Sequence, residues 1–226
     1  MTEEGAAFNA EQVAHARPAV ERWLSWSGLV PLPAFLCLHL GRELCLAFAG
    51  DVSEVLRPAP SAFTLATSWL LVWLPLLVHG ALGLYLLLVG QRLAPLPGRD
   101  VTRSSRLVSR IGALLALLFV LFHARTYTLS VWLAEADGRD AGFRLLAELS
   151  STHWGVPLTS GAYLVGLLAT VAHAALGIHG GLARAGLLTT AVGRQRSARA
   201  CTAFGVLLFG IGAMAVIRVA SGVLLR

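Results

Sequence analysis

The chain of 226 residues contains no lysine, and its formal charge of +6 comes entirely from arginine. Only 13% of it is charged and 56% is hydrophobic, where ordinary soluble domains are about a quarter charged and near half apolar. The deficit of charge is concentrated in long apolar runs. That excludes an ordinary soluble domain and points to a chain solvated by lipid. Nucleic-acid binding is excluded too, because the arginines sit in the short segments between those runs. There they report topology and contact with anionic lipid or an acidic partner. The three cysteines, Cys37, Cys45 and Cys201, form no C-x-x-C pair and read as small apolar filler. There is no nucleophile elbow, phosphate loop or metalloprotease helix, and no internal repeat or low-complexity tract. The first twenty or so residues are polar and mixed in charge, so no signal peptide is expected.

What is present is five apolar runs. They predict an all-α fold, an integral membrane bundle of five transmembrane helices over residues 23–226, preceded by a cytoplasmic arm at 1–22. The expected helices cover about 23–48, 62–91, 107–133, 156–182 and 201–225. Each exceeds the ~20 residues needed to cross ~30 Å of hydrocarbon. Glu11 to Arg22 is expected as a short interfacial helix broken at Pro18. Pro31 and Pro33 in the first helix and Pro75 in the second remove backbone donors, so kinks are expected there, and Pro157 suits the first turn of the fourth.

The segment 93–110 holds Arg99, Arg103, Arg106 and Arg110, and the segment 184–199 holds Arg184, Arg194, Arg196 and Arg199 with no acid. The segments 50–57 and 135–148 are acidic or mixed. The positive-inside rule puts the arginine-rich segments in the cytoplasm, with the amino terminus inside and the carboxy terminus outside. Within the outer loop, Phe143 to Leu149 is expected as a short amphipathic turn on the membrane surface.

Five of the seven histidines fall inside these helices; His15 and His153 lie in polar segments and read as surface residues. An intramembrane ionisable residue is costly and points to function. At 1.5 Å per helical residue, His39 and His123 share a level ~5 Å outside the midplane, and His79 and His173 share one ~5 Å inside it. Each level holds one pair from two different helices. A b-type haem needs two imidazoles on opposite sides of the porphyrin at one height, and this order offers that twice. With no C-x-x-C-H motif, such haems would lack thioether links. The expected ligands are His39 with His123 for the outer haem iron and His79 with His173 for the inner. His179, six residues beyond His173, is the alternate ligand or a propionate, quinone or interfacial partner. His79 and His173 both stand in an H-x-x-x-G frame, HGALG and HAALG. Glycine at i+4 shares the helix face of the histidine and leaves room for a porphyrin edge. Gly80, Gly161, Gly166, Gly180 and Gly181 thin the same helices, or serve close helix packing.

At this point the chain resembles the cytochrome b membrane subunit of succinate:quinone oxidoreductases, the succinate dehydrogenases and fumarate reductases, in its single-chain, five-helix, two-haem form. The resemblance spans nearly the whole chain. It rests on RWLSWSGLVPLPAFLCLHL, HGALGLYL, FHARTY and HAALGIHGG in the first four helices, and on a fifth helix without histidine. It implies an anchor in the bacterial inner membrane for an iron–sulphur subunit and a flavoprotein subunit, passing electrons to or from membrane quinone, with menaquinone favoured, in the respiratory chain and tricarboxylic acid cycle. It implies the same haem pairing. It also implies that an acid near the outer end serves quinol chemistry, with Glu54 first, then Asp51 or Glu43. An inner quinone site would instead use Ser27, Arg22 and Trp26. The family's glutamate two residues before the fourth ligand is Val171 here. Two alternatives stay open: a dihaem subunit of a nitrate reductase or hydrogenase, and a haem-free transporter or anchor.

Overall fold

The computed structural model describes residues 20, 22–49, 62–88, 103–126 and 138–221. Among them the chain is helical, with no strand. The elements are α1 (Pro31–Ala49), α2 (Ala62–Ser68), a π-helical segment (Trp69–Trp73), α3 (Leu74–Leu88), α4 (Arg103–Ala124), α5 (Gly138–Ser150), α6 (Leu158–Arg184) and α7 (Ala191–Ala220). Residues 22–29 are helical as well and enter α1 through a bend at Val30, immediately before Pro31. Among the described residues four helical stretches are long and apolar enough to cross a membrane: Arg22–Cys45, Ala66–Leu88, Leu158–Arg184 and Ala191–Ala220. Many of their large apolar side chains are exposed, as a lipid-solvated surface requires.

Where the third crossing is expected, α4 is helical, but its apolar part, Ser109–Ala124, is shorter than a span. Its expected continuation to 133 lies outside the described residues, as do the arm at 1–19 and the segment 50–61. The fifth helix departs from expectation at its start. It begins at Ala191 rather than near Cys201, so most of the arginine-rich segment is helix and the true turn is only Ala185 to Thr190. Hydropathy registers the apolar run, whereas the helix is set by its cap: Thr190 Oγ1 accepts from Gly193 N at 3.0 Å. Pro75 lacks the N–H that an α-helix would aim at Leu71. A π turn just before it, with Leu74 N–H bonded to Trp69 O, is the local adjustment.

The expected amphipathic turn is a thirteen-residue helix, α5. It is fastened to the bundle rather than floating on it. Leu146 and Leu149 are buried, Ser150 Oγ donates to Val219 O at 2.9 Å, and Ser160 Oγ donates to Leu149 O at 2.6 Å. His153 and Val156 exchange backbone bonds around Trp154 and Gly155, both at positive φ. That two-residue turn delivers the chain to Pro157, the residue that precedes α6. Arg218 Nε donates to Ala47 O at 3.3 Å at the same end of the bundle. At the opposite end, Arg184 Nε donates to Ser25 Oγ at 3.2 Å.

α6 is the central helix, packed against α4 and α7, and α7 packs also on α1. Leu40, Leu167, Val171 and Leu208 form the buried cluster between α1, α6 and α7. Small residues let these helices approach. A Cβ on Gly212 would stand 2.7 Å from Leu167 and 3.1 Å from Leu40, whereas one on Gly210 would meet nothing within 4 Å. Gly212→Leu should therefore lower detergent-solubilised thermal stability by roughly 1–3 kcal/mol through overpacking. Gly210→Leu, on the same helix, should leave the melting temperature unchanged.

Candidate functional site

The helices bring four histidines together in two pairs. His39 of α1 faces His123 of α4 with ring centres 5.8 Å apart. His79 of α3 faces His173 of α6 at 6.0 Å. A histidine nitrogen lies about 2 Å from a metal it binds, and its ring centre lies ~1 Å beyond, so imidazoles sharing one ion have centres ~6 Å apart. The two pairs have that spacing.

Their separation follows from α6. Tyr163 Oη lies 3.3 Å from His123 Nδ1, and His173 lies ten residues further along the same helix. Ten residues of α-helix rise about 15 Å. The pairs therefore sit at two levels, the first nearer the α5 end of the bundle and the second nearer the Arg184 end.

Two of the four rings are held at Nδ1 by a hydrogen bond, and a third lies near a carboxylate. His79 Nδ1 lies 3.0 Å from Leu24 O and 3.4 Å from Ser27 Oγ. An N–H donated to that carbonyl fixes the tautomer in which Nε2 carries the lone pair. His123 Nδ1 meets the Tyr163 hydroxyl, and His39 Nδ1 lies 3.7 Å from Glu43 Oε1. Metal-binding histidines are oriented in this way, one nitrogen held by a partner and the other left for the ion.

The glycines around the rings divide by position. Gly177, one turn beyond His173, has nothing within 4 Å of where a Cβ would stand, and Gly83, one turn beyond His79, meets only Leu24 at 4.0 Å. Gly161 opens on space as well. Gly28 is the opposite case: a Cβ there would lie 2.5 Å from His79 Cε1. Gly166 faces the Phe119 ring, and Gly181 would meet Leu29 at 3.1 Å.

The other expected residues take varied places. His179 is buried, with its Nδ1 3.0 Å from Ser197 Oγ on α7, away from the ring that faces His79. Ser27 donates to Leu24 O at 3.1 Å while lying against His79, and Trp26 and Arg22 are exposed. Glu43 is paired with Arg42, at 2.5 Å. Val171 is 2% exposed and packs towards Gly205 of α7. Glu54, Asp51 and His15 lie outside the described residues.

Sequence reasoning missed Tyr163, Gly28 and the Leu24 carbonyl. Tyr163 had a signal, since ten residues before His173 is about 15 Å, enough to reach the other level. Gly28 and Leu24 had none, because a backbone carbonyl and a missing side chain leave no mark in residue type.

Each site offers two facing imidazoles. Among the described residues no group of three or more His, Cys, Asp or Glu side chains gathers to hold an ion. Comparison with protein families, with curated proteins and with solved structures finds no match.

Proposed function

We propose that this chain is the cytochrome b membrane anchor of a succinate:quinone oxidoreductase, carrying two b haems between an iron–sulphur subunit and membrane quinone. The observation that carries the reading is the pair of cross-helix imidazole couples, each spaced for one shared metal and set at two levels of the bundle. A bare transition ion such as zinc asks four ligands of the protein. A porphyrin brings four nitrogens of its own, so two histidines at each site, His39 with His123 and His79 with His173, would suffice to hold it.

On this reading His39 and His123 hold one haem and His79 and His173 the other. Haem iron, when bound, supplies one-electron chemistry at a potential set by its ligands and their surroundings. The chain supplies the rest. Leu24 and Tyr163 orient the rings of His79 and His123, Gly83 and Gly177 leave room beside the rings, and the apolar helix faces exclude water. His179 then serves as an α6–α7 tie through Ser197. One histidine from each of four helices favours this assignment over nitrate-reductase-type subunits, which draw two from each of two helices.

Dicarboxylate chemistry belongs to partner chains, an iron–sulphur protein and a flavoprotein. The quinone, menaquinone by the family resemblance, would meet the chain near a membrane face. Glu54 would take its proton beside the His39–His123 haem, or Ser27 and Arg22 would bind it beside the other. The native complex isolated through this chain should contain those two partners, give two haems per chain by pyridine haemochrome, and reduce quinone with succinate. Partners of another class, or no haem, would overturn the assignment.

By the positive-inside rule the arginines at 184–199 and 93–110 favour a cytoplasmic Arg184 end, and the family resemblance implies a bacterial inner membrane. A reporter fused after Arg196 should read as cytoplasmic, and an external reading would reverse the orientation.

A further inference from the structure

The Nδ1 partners of the histidines differ in charge. His79 meets a backbone carbonyl and a hydroxyl, and His123 meets a phenol. His39 alone among these three meets a carboxylate, Glu43 Oε1 at 3.7 Å, one helical turn further on α1. The same oxygen is held by the Arg42 guanidinium at 2.5 Å. Both charges lie near the end of the apolar stretch Arg22–Cys45, partly exposed, and a charge within 4 Å of a ring still acts on it there.

We infer that Glu43, with Arg42 as its counter-charge, is a positioning residue that sets the electron affinity of the His39–His123 site apart from that of the His79–His173 site. The inference rests on the two-haem reading. A negative charge behind an axial imidazole raises the basicity of that ligand. It thereby favours the oxidised, more positive iron and lowers the potential. A cation beside that charge opposes it. The two residues therefore act with opposite sign on one site and leave the other, across the bundle, largely alone. This role differs from that of a quinol proton acceptor, because it acts through His39.

The test is a redox titration of the full chain in its complex, followed at the haem optical bands. Glu43→Gln should raise the reduced-to-oxidised ratio of one haem about tenfold at fixed ambient potential, which is 59 mV for a one-electron couple. The second haem should not move. Arg42→Gln should shift the same haem the opposite way, and Glu43→Asp, which keeps the charge, should stay close to the unaltered chain. If Glu43→Gln fails to assemble, Arg42→Gln carries the test alone. Two haems with unmoved potentials, or both moving together, overturn this inference and leave the proposed function standing. A complex without haem overturns the reading beneath it and this inference as well.

Discussion

On the proposed two-haem reading, replacing His39 or His123 by Ala should halve the haem content, from two per chain to one, with the remaining haem unchanged in its optical band and potential. The physical ground is that each site offers only two ligands and the sites share no side chain. His39 and His123 face each other at 5.8 Å, His79 and His173 at 6.0 Å, and the pairs sit at two levels of the bundle, with Tyr163, which meets His123, ten residues before His173 on α6. Loss of one axial ligand leaves an open position in an apolar site, and among the described residues no third histidine stands beside either pair. His79→Ala and His173→Ala should remove the other haem. His179→Ala should keep both, because His179 is turned to Ser197 on α7. Pyridine haemochrome on each purified variant measures this. If His179→Ala lost a haem and His173→Ala kept both, the ligand on α6 would be reassigned. If no single variant changed the haem content, the paired histidines would have no ligand role.

The second large effect is expected at a residue without a side chain. Gly28→Val should abolish haem at the His79–His173 site while sparing the other. A Cβ at position 28 would stand 2.5 Å from His79 Cε1 and 2.7 Å from its Nδ1, far inside van der Waals contact. The ring must move, and in moving it gives up the bond from Nδ1 to Leu24 O. An imidazole displaced by ~1 Å no longer sits at bonding distance from an ion that its partner still holds, and misplacement on that scale is costly in any preorganised site. Gly177→Ala probes the opposite case, since its Cβ would meet nothing within 4 Å. Its effect should be confined to what occupies the open space beside His173. Haem retained at both sites in Gly28→Val would show that the ring tolerates displacement and that the close approach serves packing alone.

The two effects draw on different properties of the chain. The crossings are legible in the sequence because an apolar run near twenty residues long matches the thickness of the hydrocarbon layer, which soluble helices have no need to do. The grouping of histidines by height is legible because helical rise is constant and alternating spans reverse direction. His39 and His123 come from helices of the same sense, as do His79 and His173, and counting residues from each helix middle places each couple together. Position along a helix is thus a one-dimensional quantity that sequence spacing fixes.

Rotation about the helix axis and distance between axes are not fixed in that way, and there the tertiary structure decided. It turned His173 towards His79 and His179 towards Ser197, although the two are only six residues apart on α6. It set Gly28 against an imidazole fifty-one positions later. It brought Tyr163 to His123 across forty residues, and it bound α5 to the end of α7 through Ser150. It also extended the last helix back to Ala191, because a cap and not hydropathy sets where a helix begins. The chain alone determined which residues share a level along the helices. Which of them touch was decided by how the helices pack, since small residues set the approach of neighbouring helices and lipid imposes no order on their azimuths.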